Sequence, residues 1–269
     1  MNPGSPGVEL KKQGIRPSKS LGQNFLTDES IADWIVAAAE IKPHERVLEI
    51  GPGLGVLTRR LAMMTDCLTV VELDRRLAEK LTQMKGIRVV QGDALKVELP
   101  DFDKVVSNLP YQISSPITLK LLEMGFKKAV LMFQKEFAEH LVAKPGDAAY
   151  SRISVMAGYR SESRILRHVP KGCFYPVPKV DSAVVEIVPR PPNFEILDEN
   201  LYRETVRILF SHKNRKTRNG ISSEHAGLGL DKQQARELAE CLPYMDQRPI
   251  TLSPEKLAEI ANAIFRSRV

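Results

Sequence analysis

The tetrapeptide Asn108-Leu109-Pro110-Tyr111 joins a side-chain amide, a proline-fixed turn and an aromatic ring. Those groups suit chemistry on an amino group attached to a planar ring, such as the exocyclic amine of adenine. That amine is a poor nucleophile because its lone pair is delocalised into the ring. Acceptors placed around the nitrogen draw it toward a tetrahedral geometry and free the lone pair. The Asn108 side-chain oxygen and the Leu109 backbone carbonyl would be those acceptors. Pro110, which has no N–H, would fix the turn so that this carbonyl points inward, and Tyr111 would offer a face for a base to stack on. Catalysis of this kind is mostly alignment, plus acceptors matched to the charge developing on nitrogen, and it needs no general base of perturbed pKa. The same four residues also make an ordinary turn beside a core tyrosine, so their meaning depends on where they sit.

Three other residue groups stand at similar places. Glu49-Ile50-Gly51-Pro52-Gly53-Leu54-Gly55 falls where a strand turns into a helix. Glycines there, Gly51 and Gly53 above all, let the backbone approach a ligand that a side chain would exclude. The G-x-G-x-G spacing differs from the G-x-G-x-x-G of dinucleotide folds, which seat a pyrophosphate on an open helix N-terminus. It suits a ligand with no phosphate, such as S-adenosylmethionine. Glu72, at the end of the second strand, can accept both ribose hydroxyls of an adenosine. Asp93, at the end of the third, can accept from an adenine amino group. A turn glycine and two solvated acids would read the same one at a time; as an ordered set at successive strand ends they describe a ligand edge.

Phe174-Tyr175-Pro176-Val177-Pro178-Lys179-Val180-Asp181-Ser182 precedes the last strand. An exposed Phe174 beside two prolines suits the second face of a base sandwich, which enzymes acting on an unstacked base require; a rigid loop covering the sheet edge is the alternative. Basic residues crowd the N-terminal arm (Lys11, Lys12, Arg16, Lys19) and the segment Lys213, Arg215, Lys216, Arg218. Either run could be a solvated face or a contact for a polyanion. The net charge of +6 agrees with an anionic partner without requiring one.

The elements that must position these groups alternate in type. Strands are expected at 46–50, 68–73, 87–91, 104–107 and 129–133, with helices over 28–38, through about Met63, over 75–84 and over 117–124. Asp28 serves as the first cap, and Ile31, Trp34, Ile35 and Ala38 recur at helical spacing. Such alternation implies an α/β fold with a mostly parallel sheet covered on both faces. Two further strands, 164–169 and 183–188, follow closely and are expected to form an antiparallel edge hairpin. Pro189, Pro191 and Pro192 break the pattern, and helices follow at 201–210, 231–241 and 253–265. The expected organisation is a flexible basic arm over 1–20, a methyltransferase domain over 21–190 and a helical domain over 191–269.

The bulk composition narrows the class. Apolar runs such as 129–133 are far too short to span a bilayer, and the N-terminus has no apolar stretch of a secretory signal. The cysteines, Cys67, Cys173 and Cys241, are scattered with no CxxC spacing. That pattern points to a reducing cytoplasm and away from a zinc site or disulfide framework. No strip of exposed heptads suggests a coiled-coil partner, and a monomer is expected.

With these residues assembled, the chain resembles the ribosomal RNA adenine dimethyltransferases of the KsgA type. The likeness covers nearly the whole length. It rests on Leu21-Gly22-Gln23-Asn24-Phe25-Leu26, Glu49 to Gly55, Glu72, Gly92-Asp93, Asn108 to Tyr111 and Phe174 to Ser182, and more loosely on Leu209 to Lys216. It implies a Rossmann-like class I methyltransferase domain followed by a small helical domain. It implies as substrate two adjacent adenosines near the 3′ end of small-subunit ribosomal RNA, within a pre-ribosomal small subunit, each converted to N6,N6-dimethyladenosine. The family's cofactor contacts would fall on Asn24, Leu26, Gly51, Glu72, Asp93 and Asn108, with Gln23 and Phe25 nearby, and no metal. Residues 213–218 would touch RNA phosphates. Asn-Leu-Pro-Tyr alone does not exclude a related N6-adenine methyltransferase acting on large-subunit RNA or on DNA; the helical tail and the 174–182 segment favour the small-subunit dimethyltransferase. A ribosome-assembly factor that kept the fold but lost the chemistry is the alternative from another class, and the intact Gly, Glu, Asp and Asn-Leu-Pro-Tyr set argues against it.

Overall fold

A computed structural model describes residues 10, 14, 17, 18, 21–229 and 231–267. The chain divides into two compact units: Met1–Ala138 with Ser163–Pro189, and Glu139–Glu162 with Arg190–Val269. The four basic residues of the arm, Lys11, Lys12, Arg16 and Lys19, lie outside the described residues. Leu10 is described, and it is buried against Phe25 and Leu77.

The first unit is built on a seven-stranded sheet. Its strands are β1 (Val47–Ile50), β2 (Leu68–Glu72), β3 (Ile87–Gln91), β4 (Lys104–Asn108), β5 (Lys128–Gln134), β6 (Ser161–Val169) and β7 (Ser182–Pro189). Their spatial order is β3-β2-β1-β4-β5-β7-β6. Neighbours from β3 through β5 run parallel, and β7 joins β5 antiparallel in the register Ala129↔Ile187 to Gln134↔Ser182. Every residue of β1 is buried, as are most of β4 and β5. Central parallel strands covered on both faces require such apolar runs.

Helices α1 (Glu29–Ala38), α2 (Val56–Met64), α3 (Arg75–Leu81) and α4 (Ser114–Met124) are interleaved with the parallel strands. Asp28 caps α1, its carboxylate accepting the N–H groups of Ser30 and Ile31. Ile31, Ile35 and Val36 of α1 join Leu57 and Leu61 of α2 in a core with Val47, Val70, Val106 and Val130 from the sheet. Strands β1 and β4 pair at Val47↔Lys104 and Leu48↔Val105. Beyond those pairs the buried Ser107 hydroxyl takes the Ile50 N–H at 2.6 Å.

The second unit takes in Glu139–Glu162, which a boundary at 190 would assign to the first. Helix α5 (Lys135–Val142) crosses the boundary, and α6 (Arg152–Gly158) lies within 139–162. This unit also holds α7 (Glu199–Ser211), α8 (Thr217–Ser223), α9 (Lys232–Cys241) and α10 (Pro254–Arg266). Aromatic contacts explain the regrouping. Tyr159 meets Tyr202 edge-on at 5.2 Å, Tyr150 meets Phe210 at 5.5 Å, and the Tyr150 hydroxyl donates to the Leu252 carbonyl at 3.0 Å. Tyr150 and Tyr159 therefore bury their rings among the C-terminal helices, and a boundary near 190 alone does not separate the two cores. No helix among the described residues is long and apolar enough to cross a membrane.

The Ser107–Ile50 bond is testable by stability. Ser107→Ala leaves the buried Ile50 N–H without its acceptor and should destabilise the protein by about 1–3 kcal/mol in urea unfolding. An unchanged midpoint would show that the strand ends do not depend on this hydroxyl.

Candidate active site

The carboxyl ends of the first four strands open into one cavity of about 300 Å³, lined by Gly51, Glu72, Asp93, Asn108 and Tyr111 together with residues 21–26. That volume is the size of a small-molecule site. The groups singled out at four separate strand ends are thereby brought to one place.

Glycine is required at two of them. Gly51 adopts φ +68°, and a Cβ there would come within 2.9 Å of Pro110 Cδ. Gly53 adopts φ +58°, and a Cβ there would lie 2.9 Å from the Phe25 ring. The first contact presses the glycine turn against the Asn108–Tyr111 motif, and the second presses it against the 21–26 segment. The Gly53 N–H then donates to Glu72 Oε2 at 3.0 Å, and the Asp74 N–H donates to Glu72 Oε1 at 2.9 Å. Burial raises the Glu72 carboxyl above its ordinary range, and these N–H groups offset part of the rise.

Glu49 also faces the cavity, a role the sequence reading did not single out. Its carboxyl is buried, accepts the Thr58 hydroxyl at 2.7 Å, and is pushed up to about 8 by burial and by the nearby Glu72 charge. The signal in the sequence is an acid inside an otherwise apolar strand, which costs free energy unless it serves a ligand or a partner. Asp93 accepts the Leu95 N–H on Oδ1 at 2.9 Å.

The 21–26 segment closes another side. Its Phe25–Leu26 pair forms a two-stranded ladder with Phe174–Tyr175. Gln23 donates to Asp74 at 3.1 Å, and Arg76 beside Asp74 holds that carboxyl down at about 2. The Asn24 carbonyl accepts Asn108 Nδ2 at 3.3 Å. This bond fixes the amide with its nitrogen toward the segment and leaves Oδ1 as the acceptor.

The rest of the tetrapeptide is held as firmly. The Leu109 N–H donates to the Met132 carbonyl at 3.3 Å, and Pro110 O accepts the Ile113 N–H at 3.1 Å. The Tyr111 hydroxyl shares a 2.7 Å hydrogen bond with Ser182. Burial raises the Tyr111 phenol, so it stays neutral and does not act as a base.

Two expectations need correction. Phe174 is not exposed: it retains 2% of its surface, packs in the core with Leu26 and Val184, and does not line the cavity. The ladder with Phe25–Leu26 turns it inward, and the exposed ring of the segment is Tyr175, at 36%. The basic segment is also less free than its charge suggests. Lys213 donates to the carbonyls of Ala148 and Tyr150 at 3.0 and 2.8 Å. Lys216 pairs with Asp246 at 2.8 Å, and Arg218 pairs with the same carboxylate. Arg215 is exposed.

The family model described as ribosomal RNA adenine dimethylase matches residues 15–241. The chain belongs to this family. Among its relatives, the probable ribosomal RNA small subunit methyltransferase A of Methanosarcina mazei is 45% identical over 262 residues, covering 95% of this chain and 96% of its own. The protein of the same description from Thermococcus kodakarensis is 45% identical over 267 residues, covering 97% and 94%. Among solved structures, a dimethyladenosine transferase from Plasmodium falciparum superimposes with a TM-score of 0.78 at 29% identity, covering 91% of this chain and 98% of its own. The 23S rRNA methyltransferase ErmE gives 0.64 at 30% identity, covering 90% and 100%.

The adenine dimethylase site fits the cofactor of such enzymes. At Gly51 and Gly53 a Cβ would collide with Pro110 and Phe25, so the missing side chains let the glycine turn pack tightly into the cavity wall. Glu72 can take ribose hydroxyls and Asp93 an amino group, while Glu49, Glu72 and Asp93 together suit a ligand carrying positive charge. Among the described residues, no group of three or more His, Cys, Asp or Glu is placed to hold a metal ion.

The raised Glu49 carboxyl makes stability depend on pH. Below its ordinary value of 4.5 the group is neutral folded and unfolded, and it costs nothing. Between 4.5 and about 8 it ionises in the unfolded chain but stays protonated in the cavity, so stability falls across that window and then levels off. Glu49→Gln removes this fall. Its stability relative to the parent should rise as pH is taken from 4.5 to 8 in urea titrations; a constant difference would contradict the account.

Proposed function

We propose that this chain transfers methyl groups from S-adenosylmethionine to N6 of two adjacent adenosines near the 3′ end of small-subunit ribosomal RNA. The product is N6,N6-dimethyladenosine, and the role is in small-subunit biogenesis. The observation that carries the reading is the Asn108 amide, which lines the cavity shared by Glu72 and Asp93 and is pinned through its nitrogen to Asn24, leaving its oxygen as the acceptor.

The bound cofactor supplies an electrophilic methyl on a sulfonium. Asn108 Oδ1 and the Leu109 carbonyl accept the N–H groups of the target amine and draw its nitrogen out of the ring plane. The lone pair would then be free for transfer, and the two oxygens already sit where positive charge would grow on that nitrogen. Transfer would break the sulfur–methyl bond and leave a neutral thioether, and the methylated nitrogen would lose its extra proton to water, so no side chain has to act as a base. Tyr111 gives the base one face to stack on. The second face is assigned to the Phe174–Tyr175 segment, in which Tyr175 presents its ring.

Small-subunit rather than large-subunit RNA is favoured by the relatives from Methanosarcina mazei and Thermococcus kodakarensis, both described as small-subunit enzymes. An extruded base on a polyanion needs cationic contacts outside the cavity. Arg215, with Lys216 and Arg218 sharing one carboxylate, is proposed to touch RNA phosphates; Lys213 is engaged in holding the 148–150 backbone. The protein is proposed to act as a monomer in the cytoplasm on an immature small subunit.

Incubation with radiolabelled S-adenosylmethionine and unmethylated small subunits, with large subunits in a parallel reaction, should put label into dimethyladenosine of the small subunit; label confined to large subunits, or absent from that nucleoside, would overturn the assignment. Asn108→Ala should lower kcat about 10²–10³-fold while cofactor affinity changes far less, because its oxygen acts mainly in the transition state. Near-normal turnover would refute the role given to it. Arg215→Ala should flatten the salt dependence of subunit binding by about one phosphate contact; an unchanged slope would return Arg215 to the solvated surface.

A further inference from the structure

Lys120 stands near the middle of α4 and spends its ammonium on a single loop. Nζ donates to the carbonyls of Ala94 at 2.8 Å, Leu95 at 3.2 Å and Val97 at 2.9 Å. A lysine ammonium has three N–H donors and no acceptor, so this loop uses its full capacity.

The loop is the one that follows β3, and Asp93 winds it into a turn. Asp93 O accepts the N–H groups of Lys96 and Val97 at 2.8 Å, and its carboxylate accepts that of Leu95 at 2.9 Å. A single turn leaves carbonyls unpaired at its far end. Lys120 covers them as a cation covers a helix C-terminus. Asp93 and Ala94 line the cavity, whereas Lys120 stands behind the loop and is not among the lining residues.

The other end of this connection is the acceptor motif. Helix α4 begins directly after it, and the Ser114 hydroxyl donates to the Tyr111 carbonyl at 3.0 Å. Strands β3 and β4 are not neighbours, since β2 and β1 lie between them. The sheet therefore gives no direct register between Asp93 and Asn108, and the Lys120 side chain provides a link across that gap.

We infer that Lys120 is a positioning residue for the cofactor's adenine, holding the 93–97 turn so that the Asp93 carboxylate meets the adenine amino group. The inference rests on the reading of Asp93 as the acceptor from that amino group. Its consequence is selective. Loss of the ammonium lets the turn relax, and the cavity loses its preference for an amino group over a carbonyl at that position of the ring.

Isothermal calorimetry with S-adenosylhomocysteine and with its inosine counterpart, in which a carbonyl replaces the amino group, reads this directly. The parent protein should prefer the adenosine form by about tenfold or more. Lys120→Met should bring the two dissociation constants to within about threefold of each other, and Lys120→Arg, which keeps the donors, should restore the preference. Lys120→Gln carries the comparison if the methionine variant does not fold. Equal weakening of both ligands with the preference kept would make Lys120 a merely structural residue and overturn the inference. Asp93→Ala separates the two layers: a preference that survives in that variant removes the Asp93 reading and the inference with it. A preference lost there but kept in Lys120→Met removes the inference alone.

Discussion

The site depends on how two adjacent parallel strands part. β1 and β4 pair through Leu48↔Val105, and two residues on the Ile50 N–H bonds to the Ser107 hydroxyl rather than to a backbone carbonyl of β4. A buried N–H must have a partner, and supplying it from a side chain lets the backbones separate without leaving an orphan. From that point one chain becomes the glycine turn and the other becomes Asn108. Strand order runs outward on both sides of this pair, to β2 and β3 one way and to β5 the other. This is the crevice where open α/β sheets take their ligands. The contact between Gly51 and Pro110 then sets how far apart the two turns can stand.

Electrostatics inside the crevice divide the acids by their partners. Asp74, which does not itself line the cavity, has Arg76 and Gln23 and remains a firm carboxylate. Glu49 and Glu72 have no cationic side chain in hydrogen-bonding contact among the described residues, and are raised by burial. Burying carboxylates this way is unfavourable in isolation, and it becomes favourable when a cation arrives. The acceptor half of the site has the opposite design. Asn108, Leu109 and Tyr111 carry no charge, and each is fixed by a hydrogen bond to a different element: the 21–26 segment, β5 and β7. Fixed neutral acceptors need little rearrangement as charge develops on a substrate nitrogen.

Much of this was legible in the sequence because strand ends in a parallel sheet fall on one edge whatever the details of packing. Gly51, Glu72, Asp93 and Asn108 needed no more than the alternation of strands and helices to be placed together. What was not legible depends on contacts between distant segments. The short ladder of Phe25–Leu26 with Phe174–Tyr175 decides which of two adjacent aromatics is buried, and neither stretch announces its partner. Tyr150 and Tyr159 assign 139–162 to the second unit through rings more than forty residues away in the chain. Lys213 reads as one of four clustered cations, but its ammonium is engaged by the carbonyls of Ala148 and Tyr150. Glu49 was visible as an acid in an apolar strand, yet its environment appears only once Thr58 and Glu72 are packed around it.

A crystal structure with S-adenosylhomocysteine and adenosine tests the arrangement at its centre. The ribose of the cofactor product should lie on Glu72, its adenine amino group on Asp93, and its sulfur should face the Asn108 oxygen across the amino group of the second adenosine. A product molecule bound away from these strand ends, or an Asn108 oxygen turned from the adenosine amine, would contradict it.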